Sequence, residues 1–129
     1  MKFFVFAFLA LPAAILASPV QTLEKREPAV TCATKYYTGT QVARAVQLSN
    51  SNGAPSSTYP HTFNNYEGFD FSDYCSDSTY NTYPLTTNGY TGGAPGPDRV
   101  IIGKSSRRFC GSITHTGAST RNGFLQCRY

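Results

Sequence analysis

Histidine is scarce in this chain, with only two among 129 residues, and the four cysteines lie far apart in sequence. The close cysteine and histidine pairs of a zinc site are therefore missing, and no metal or other cofactor is expected. No Asn-x-Ser/Thr triplet occurs, which removes N-glycosylation. Neither an internal repeat nor an extended low-complexity tract is visible, so a solenoid is excluded. Beyond the first residues no stretch is apolar enough to span a bilayer. Charge is sparse too, at 14% of residues and +4 net, short of the positive field of a protein that holds long nucleic acid by charge alone.

What is present begins with a targeting pattern. Lys2 precedes an apolar run from Phe3 to Leu16, and small residues follow at Ala17 and Ser18, as in a secretory signal peptide over residues 1–17. Residues 18–26 read as a short propeptide ending in the dibasic Lys25-Arg26. The expected product is a secreted, extracellular, single domain of residues 27–129, of a size to carry one modest core. It keeps eight basic and six acidic residues. Glu67, Asp70, Asp73 and Asp77 cluster in its middle, whereas Arg99, Lys104, Arg107, Arg108, Arg121 and Arg128 fall in its last third, so a local basic face is expected. Cys32, Cys75, Cys110 and Cys127 all lie in this part; an even count in a small secreted chain reads as two disulfides with three possible pairings.

Val42, Ala45 and Val46 lie at helical spacing in Gln41 to Leu48, with Thr38 or Thr40 as cap and Ser49 to Gly53 as stop. The stretch YPHTFNNYEGFDF, Tyr59 to Phe71, alternates at Tyr59, His61 and Phe63, breaks at Asn64-Asn65, and alternates again at Phe69 and Phe71. It reads as a strand, a polar loop with stackable rings, and a second strand. Tyr80 to Leu85 alternates as a strand that Pro84 ends or confines to an edge. Thr91 to Pro97 is a Gly/Pro loop, Arg99 to Ile102 a buried strand, Gly103 to Arg108 a basic turn, Cys110 to Thr116 a strand and Phe124 to Cys127 a last short one. One helix followed by strands on short connections predicts an α+β domain, the helix packed on a mainly antiparallel sheet.

With TGGAPGPDRV and ITHTGAS further along, YPHTFNNYEGFDF resembles the fungal guanyl-specific ribonucleases (the ribonuclease T-one family) over Cys32 to Cys127. The resemblance implies the microbial ribonuclease fold and a bridge between the ends of the domain, Cys32 with Cys127; Cys75 with Cys110 then remains. It implies His115 as general acid, Arg99 as the phosphate-neutralising cation, His61 beside the base, Tyr59 as a phenol on the phosphate, and Phe124 as an apolar neighbour of the phosphorus. Phe63, Asn64, Asn65, Tyr66 and Glu67 match the guanine site, with Glu67 accepting from the base edge. A wall asparagine is matched by Asn122 or displaced by Arg121, because the loop here is one residue longer.

One position departs from the family pattern. Where the family carries a glutamate as principal base, Tyr80-Asn81-Thr82-Tyr83-Pro84 presents Thr82, and a hydroxyl cannot take a proton near neutral pH. Two imidazoles can supply a base and an acid, which leaves His61 as base. The implied activity is monomeric, guanyl-preferring endonucleolytic cleavage of single-stranded RNA, with guanine 5′ to the scissile phosphate, to a 2′,3′-cyclic phosphate at reduced rate. The alternative is a catalytically impaired secreted effector that binds RNA or ribosomes, motivated by Thr82 and by Arg107-Arg108.

Overall fold

The computed structural model describes residues 27–129; the expected signal peptide and propeptide lie outside the described residues. Two strands, β1 (Val30–Cys32) and β2 (Lys35–Tyr37), form an antiparallel hairpin, and one helix, α1 (Gly39–Asn50), follows. Five strands then build an antiparallel sheet in sequential order: β3 (His61–Phe63), β4 (Tyr80–Pro84), β5 (Asp98–Gly103), β6 (Phe109–Thr114) and β7 (Leu125–Gln126). The α+β expectation holds. Among the described residues no helix is long and apolar enough to cross a membrane.

The helix starts where its capping chemistry dictates. Thr38 Oγ1 accepts from the Gln41 amide at 3.1 Å, and Gln41 Oε1 accepts from the Thr38 amide at 2.9 Å, a reciprocal box stabilising by about 1 kcal/mol. Thr38, not Thr40, is the cap. The helix stops where Asn52 takes a left-handed φ of 56° and the Gly53 amide closes on the Leu48 carbonyl, an exit Asn tolerates. Val42, Ala45, Val46 and Ser49 form its buried face.

That face meets one side of the sheet, with Val42, Ala45 and Val46 in a cluster with Tyr83, Leu85, Val100 and Ile102. Because strand side chains alternate, Arg99 and Ile101 point to the other side, where Ile101 joins Phe71, Cys110 and Ile113, with Phe63, Tyr80 and Phe124 packed against them. The unbroken apolar run of β5 is thus buried on both faces. Pro84 ends β4, as expected, although β4 is an inner strand flanked by β3 and β5.

Two readings need correction. Phe69 to Phe71 is not a strand. Asn65 takes a left-handed φ of 55°, accepts from the Phe69 amide and donates to the Phe69 carbonyl at 2.8 and 2.9 Å. Those backbone groups therefore bond within the loop rather than to a neighbouring strand. The alternating rings pack inward instead, Phe71 lying 6.3 Å from Phe63 and 5.1 Å from Tyr80, ring centre to ring centre. The β1–β2 hairpin went unread because its strands are three residues each. It is held from outside: Thr31 and Arg128 exchange backbone bonds of 2.8 and 2.9 Å, and Cys32 is bridged to Cys127.

The second bridge is Cys75–Cys110. Closing 95 and 35 residues respectively stabilises by about 4 kcal/mol each on the chain-entropy estimate.

Three basic residues of the last third are engaged by the protein itself. Arg107 donates to the Asn50 carbonyl at the helix end, Lys104 to Thr62 Oγ1, and Arg99 turns inward. In the turn after β5, Asp77 accepts from the amides of Ser105 and Ser106 and from the Ser106 hydroxyl. These bonds, the hydroxyl first, lower its carboxyl below the ordinary value of 3.8. A carboxyl lowered on folding contributes stability that is complete above that value and lost as pH falls through the folded-state value. Asp77→Asn should therefore shrink the loss of unfolding free energy between about pH 5 and pH 2. Parallel losses in the two proteins would contradict the assignment.

Candidate active site and base pocket

On the sheet face away from the helix, register decides what meets what. His61 lies directly opposite Thr82, and Thr82 opposite Ile101. Arg99, two residues before Ile101, is the diagonal neighbour of Thr82. Arg99 pairs with Ile113, and His115, two residues on, sits just past the end of β6 with its amide bonded to the Pro97 carbonyl at 2.9 Å. By alternation His61, Thr82, Arg99 and His115 share one face.

Tyr59 ties the first part of this group together. Its ring stacks on His61 with centroids 4.6 Å apart, and the Arg99 guanidinium lies 5.2 Å from its centre. Tyr83 and Tyr90 meet it edge-on at 6.4 and 5.9 Å, a support that sequence reasoning did not find. Arg99 is only 4% exposed. Its Nη1 donates to the carbonyls of Gly96 and Asp98 at 2.7 and 2.9 Å. The Asp98 carboxylate is turned instead to the Tyr37 hydroxyl. That bond and burial, the burial foremost, push the Tyr37 phenol well up. Arg99 is thus a buried cation without a carboxylate partner among the described residues, which is costly unless an anion arrives.

His115 anchors the second part. Its Nδ1 lies 2.7 Å from the Gly123 carbonyl; a carbonyl only accepts, so Nδ1 carries the hydrogen and Nε2 is left for chemistry. The Phe124 ring stacks on the imidazole at 3.9 Å, and Phe63 meets Phe124 edge-on at 5.8 Å. His61 Nδ1 likewise faces the Thr62 carbonyl at 3.1 Å, freeing its Nε2 as an acceptor.

Beside these rings opens a cavity of about 350 Å³, lined by Thr62 through Glu67 and by Thr120, Asn122, Gly123 and Phe124, within the range of small-ligand sites. Of the two residues that the longer loop offers for its wall, Asn122 lines it and Arg121 does not. Thr120 and Gly123 also line it and were not foreseen; a small-residue loop carries no signal of which members face inward. The Asn65 side chain is committed to Phe69, so only its backbone is available to a ligand. Tyr66, 89% exposed, is among the residues that line it. Glu67 Oε2 accepts from the Phe124 amide at 3.0 Å.

Thr82 is 3% exposed, and its Oγ1 is buried without a hydrogen-bond partner. Asp77 is held by Ser105 and Ser106 and does not substitute for a carboxylate here. Cys75, Asp77 and Cys110 lie close together, but both cysteines are in the disulfide, so no metal site results.

Comparison with known proteins gives a consistent set. A family model described as ribonuclease matches residues 25–128. The guanyl-specific ribonuclease U1 of Ustilago sphaerogena is 57% identical over 102 residues, covering 78% of this chain and 95% of that protein. Guanyl-specific ribonuclease T1 of Aspergillus oryzae is 41% identical over 126 residues, covering 92% and 91%. Among solved structures, the ribonuclease He1 of Hericium erinaceus aligns with a TM-score of 0.60 at 32% identity, covering 78% of this chain and 99% of that one.

An unpaired buried hydroxyl costs about 1–3 kcal/mol. Thr82→Val, which keeps the branched shape, should therefore raise stability by about 1 kcal/mol, read from the urea midpoint. A lower midpoint would mean that the hydroxyl has a partner.

Proposed function

Because the chain belongs to the ribonuclease T-one family, we propose that it is a secreted, guanyl-preferring endoribonuclease that cleaves single-stranded RNA through the 2′-hydroxyl. The observation that carries this reading is the buried Arg99, without a carboxylate partner among the described residues, set on the same sheet face as two imidazoles. His61 Nε2 takes the 2′-hydroxyl proton, and the 2′-oxygen attacks phosphorus. Arg99 and the Tyr59 hydroxyl hold the charge that grows on the non-bridging oxygens. His115 Nε2 then gives its proton to the departing 5′-oxygen, leaving a guanosine 2′,3′-cyclic phosphate. Phe124 keeps the acid's ring plane fixed and the phosphate neighbourhood dry.

Guanine preference follows from hydrogen-bond polarity. A carboxylate only accepts, so Glu67 calls for two donors on the base edge, which guanine has at N1 and N2. Backbone groups of Asn64 and Asn65 read the opposite edge, while Phe63 and Asn122 wall the slot and Tyr66 covers the ring.

With a hydroxyl at position 82, His61 works without a carboxylate beside it, and the rate is reduced. This same feature motivates a second reading, a secreted effector that binds RNA or ribosomes without cutting. Its other motivation is weakened, because the Arg107 guanidinium is engaged by the Asn50 carbonyl.

Incubation with a guanylyl dinucleotide should yield guanosine cyclic phosphate. Thr82→Glu should raise that rate by about 10²-fold, the lower end of what general-base catalysis is worth, and His115→Ala should lower it by at least as much. Intact substrate with both the natural protein and Thr82→Glu between about pH 4 and pH 9 would refute the enzymatic reading. RNA binding that survives in His115→Ala would then favour the effector.

A further inference from the structure

A single peptide unit joins the base pocket to the imidazole at the end of β6. The carbonyl of Gly123 accepts from His115 Nδ1 at 2.7 Å. The amide of the same unit, on Phe124, donates to Glu67 Oε2 at 3.0 Å. Glu67 and Phe124 are 57 residues apart in sequence, so this bond closes one loop onto another. The ring of Phe124 also lies on the His115 imidazole, 25° from parallel. The residue whose amide Glu67 holds is therefore the one that fixes the plane of that imidazole.

Hydrogen bonds in a chain polarise one another. An amide donating to an anion shifts electron density toward its own carbonyl oxygen, which becomes a stronger acceptor for the His115 N–H. We propose that Glu67 is a positioning residue for His115, acting through the Gly123–Phe124 peptide, in addition to reading the base. The catalytic consequence rests on the ribonuclease reading above; the structural link does not.

The link explains how base identity reaches the reaction. Glu67 is exposed, so in the free protein water competes for its carboxylate. A guanine that donates two hydrogens to that carboxylate restrains it, and with it the peptide and the imidazole. Adenine has no matching pair of donors and leaves Glu67 as it is in the free protein, bonded to the Phe124 amide without added restraint. Base choice is thereby felt in turnover as well as in binding.

The test is NMR of the full mature domain without ligand, observing exchange with water of the His115 Nδ1 proton. Glu67→Ala should speed that exchange about fivefold to tenfold, the loss of one hydrogen bond's worth of restraint. Glu67→Gln keeps an acceptor oxygen without the charge and should fall between, so it serves if the alanine variant does not fold. Guanosine 3′-monophosphate should slow the exchange in the natural protein and not in Glu67→Ala. A kinetic arm uses an adenylyl dinucleotide, for which Glu67 has no base to read; its turnover number should still fall about fivefold in Glu67→Ala. Unchanged exchange in a folded Glu67 variant overturns the link whether or not RNA is cut. Altered exchange in a protein that cuts no RNA keeps the link and rejects the ribonuclease reading.

Discussion

Burying a guanidinium costs several kcal/mol unless opposite charge or a full set of acceptors meets it, and Arg99 meets two backbone carbonyls and the face of Tyr59. Much around it serves that placement. β5 is buried on both sides, so Val100 and Ile102 fasten it to the helix while Arg99 is turned the other way. The glycine-rich loop before β5 supplies one carbonyl through Gly96. Tyr83 and Tyr90 hold the Tyr59 ring on which the cation rests. The Asp98 carboxylate, which could have neutralised the arginine, is drawn off by the Tyr37 hydroxyl on the hairpin, and that hairpin is pinned by Cys32–Cys127 and the Thr31–Arg128 bonds. Among the described residues no carboxylate thus meets the Arg99 charge, on the face that carries both histidines.

Thr82 sits in the middle of that face, between His61 on one neighbouring strand and Ile101 on the other. A β-branched residue suits an inner strand, but among the described residues its hydroxyl has no partner. Around it His61 is stacked on Tyr59, Arg99 meets no carboxylate among the described residues, and His115 Nδ1 is held by the Gly123 carbonyl. In the proposed reaction the site then lacks one proton acceptor, at a single side chain.

The legible parts of the sequence were those in which local chemistry and tertiary demand agree. Val42, Ala45 and Val46 announce the helix by their spacing, and Thr38, one of the two caps that the sequence offers, starts it. Val100-Ile101-Ile102 announces a strand buried on both faces, and Pro84 its neighbour's end. The candidate site residues came from a resemblance of motifs, and the structure gathers Tyr59, His61, Arg99 and His115 near one another and Phe63 to Glu67, Asn122 and Phe124 around one cavity. Phe69 to Phe71 misled because alternation records which side chains go inward, not whether the backbone finds a partner strand; Asn65 had already claimed that backbone. The hairpin escaped because three-residue strands carry too little pattern and depend on a disulfide and two backbone bonds from the far end of the chain. The Glu67–Phe124–His115 connection is a property of one peptide's two ends, invisible until the loops are closed.

In the proposed reaction a base and an acid, both imidazoles, act on a phosphate held by Arg99 with no carboxylate in attendance. His61 then takes the 2′-hydroxyl proton unaided, and kcat/KM for a guanylyl dinucleotide reports what it contributes. His61→Ala should lower that value by at least about 10²-fold. A folded His61→Ala protein that cuts as fast as the natural one would contradict this role.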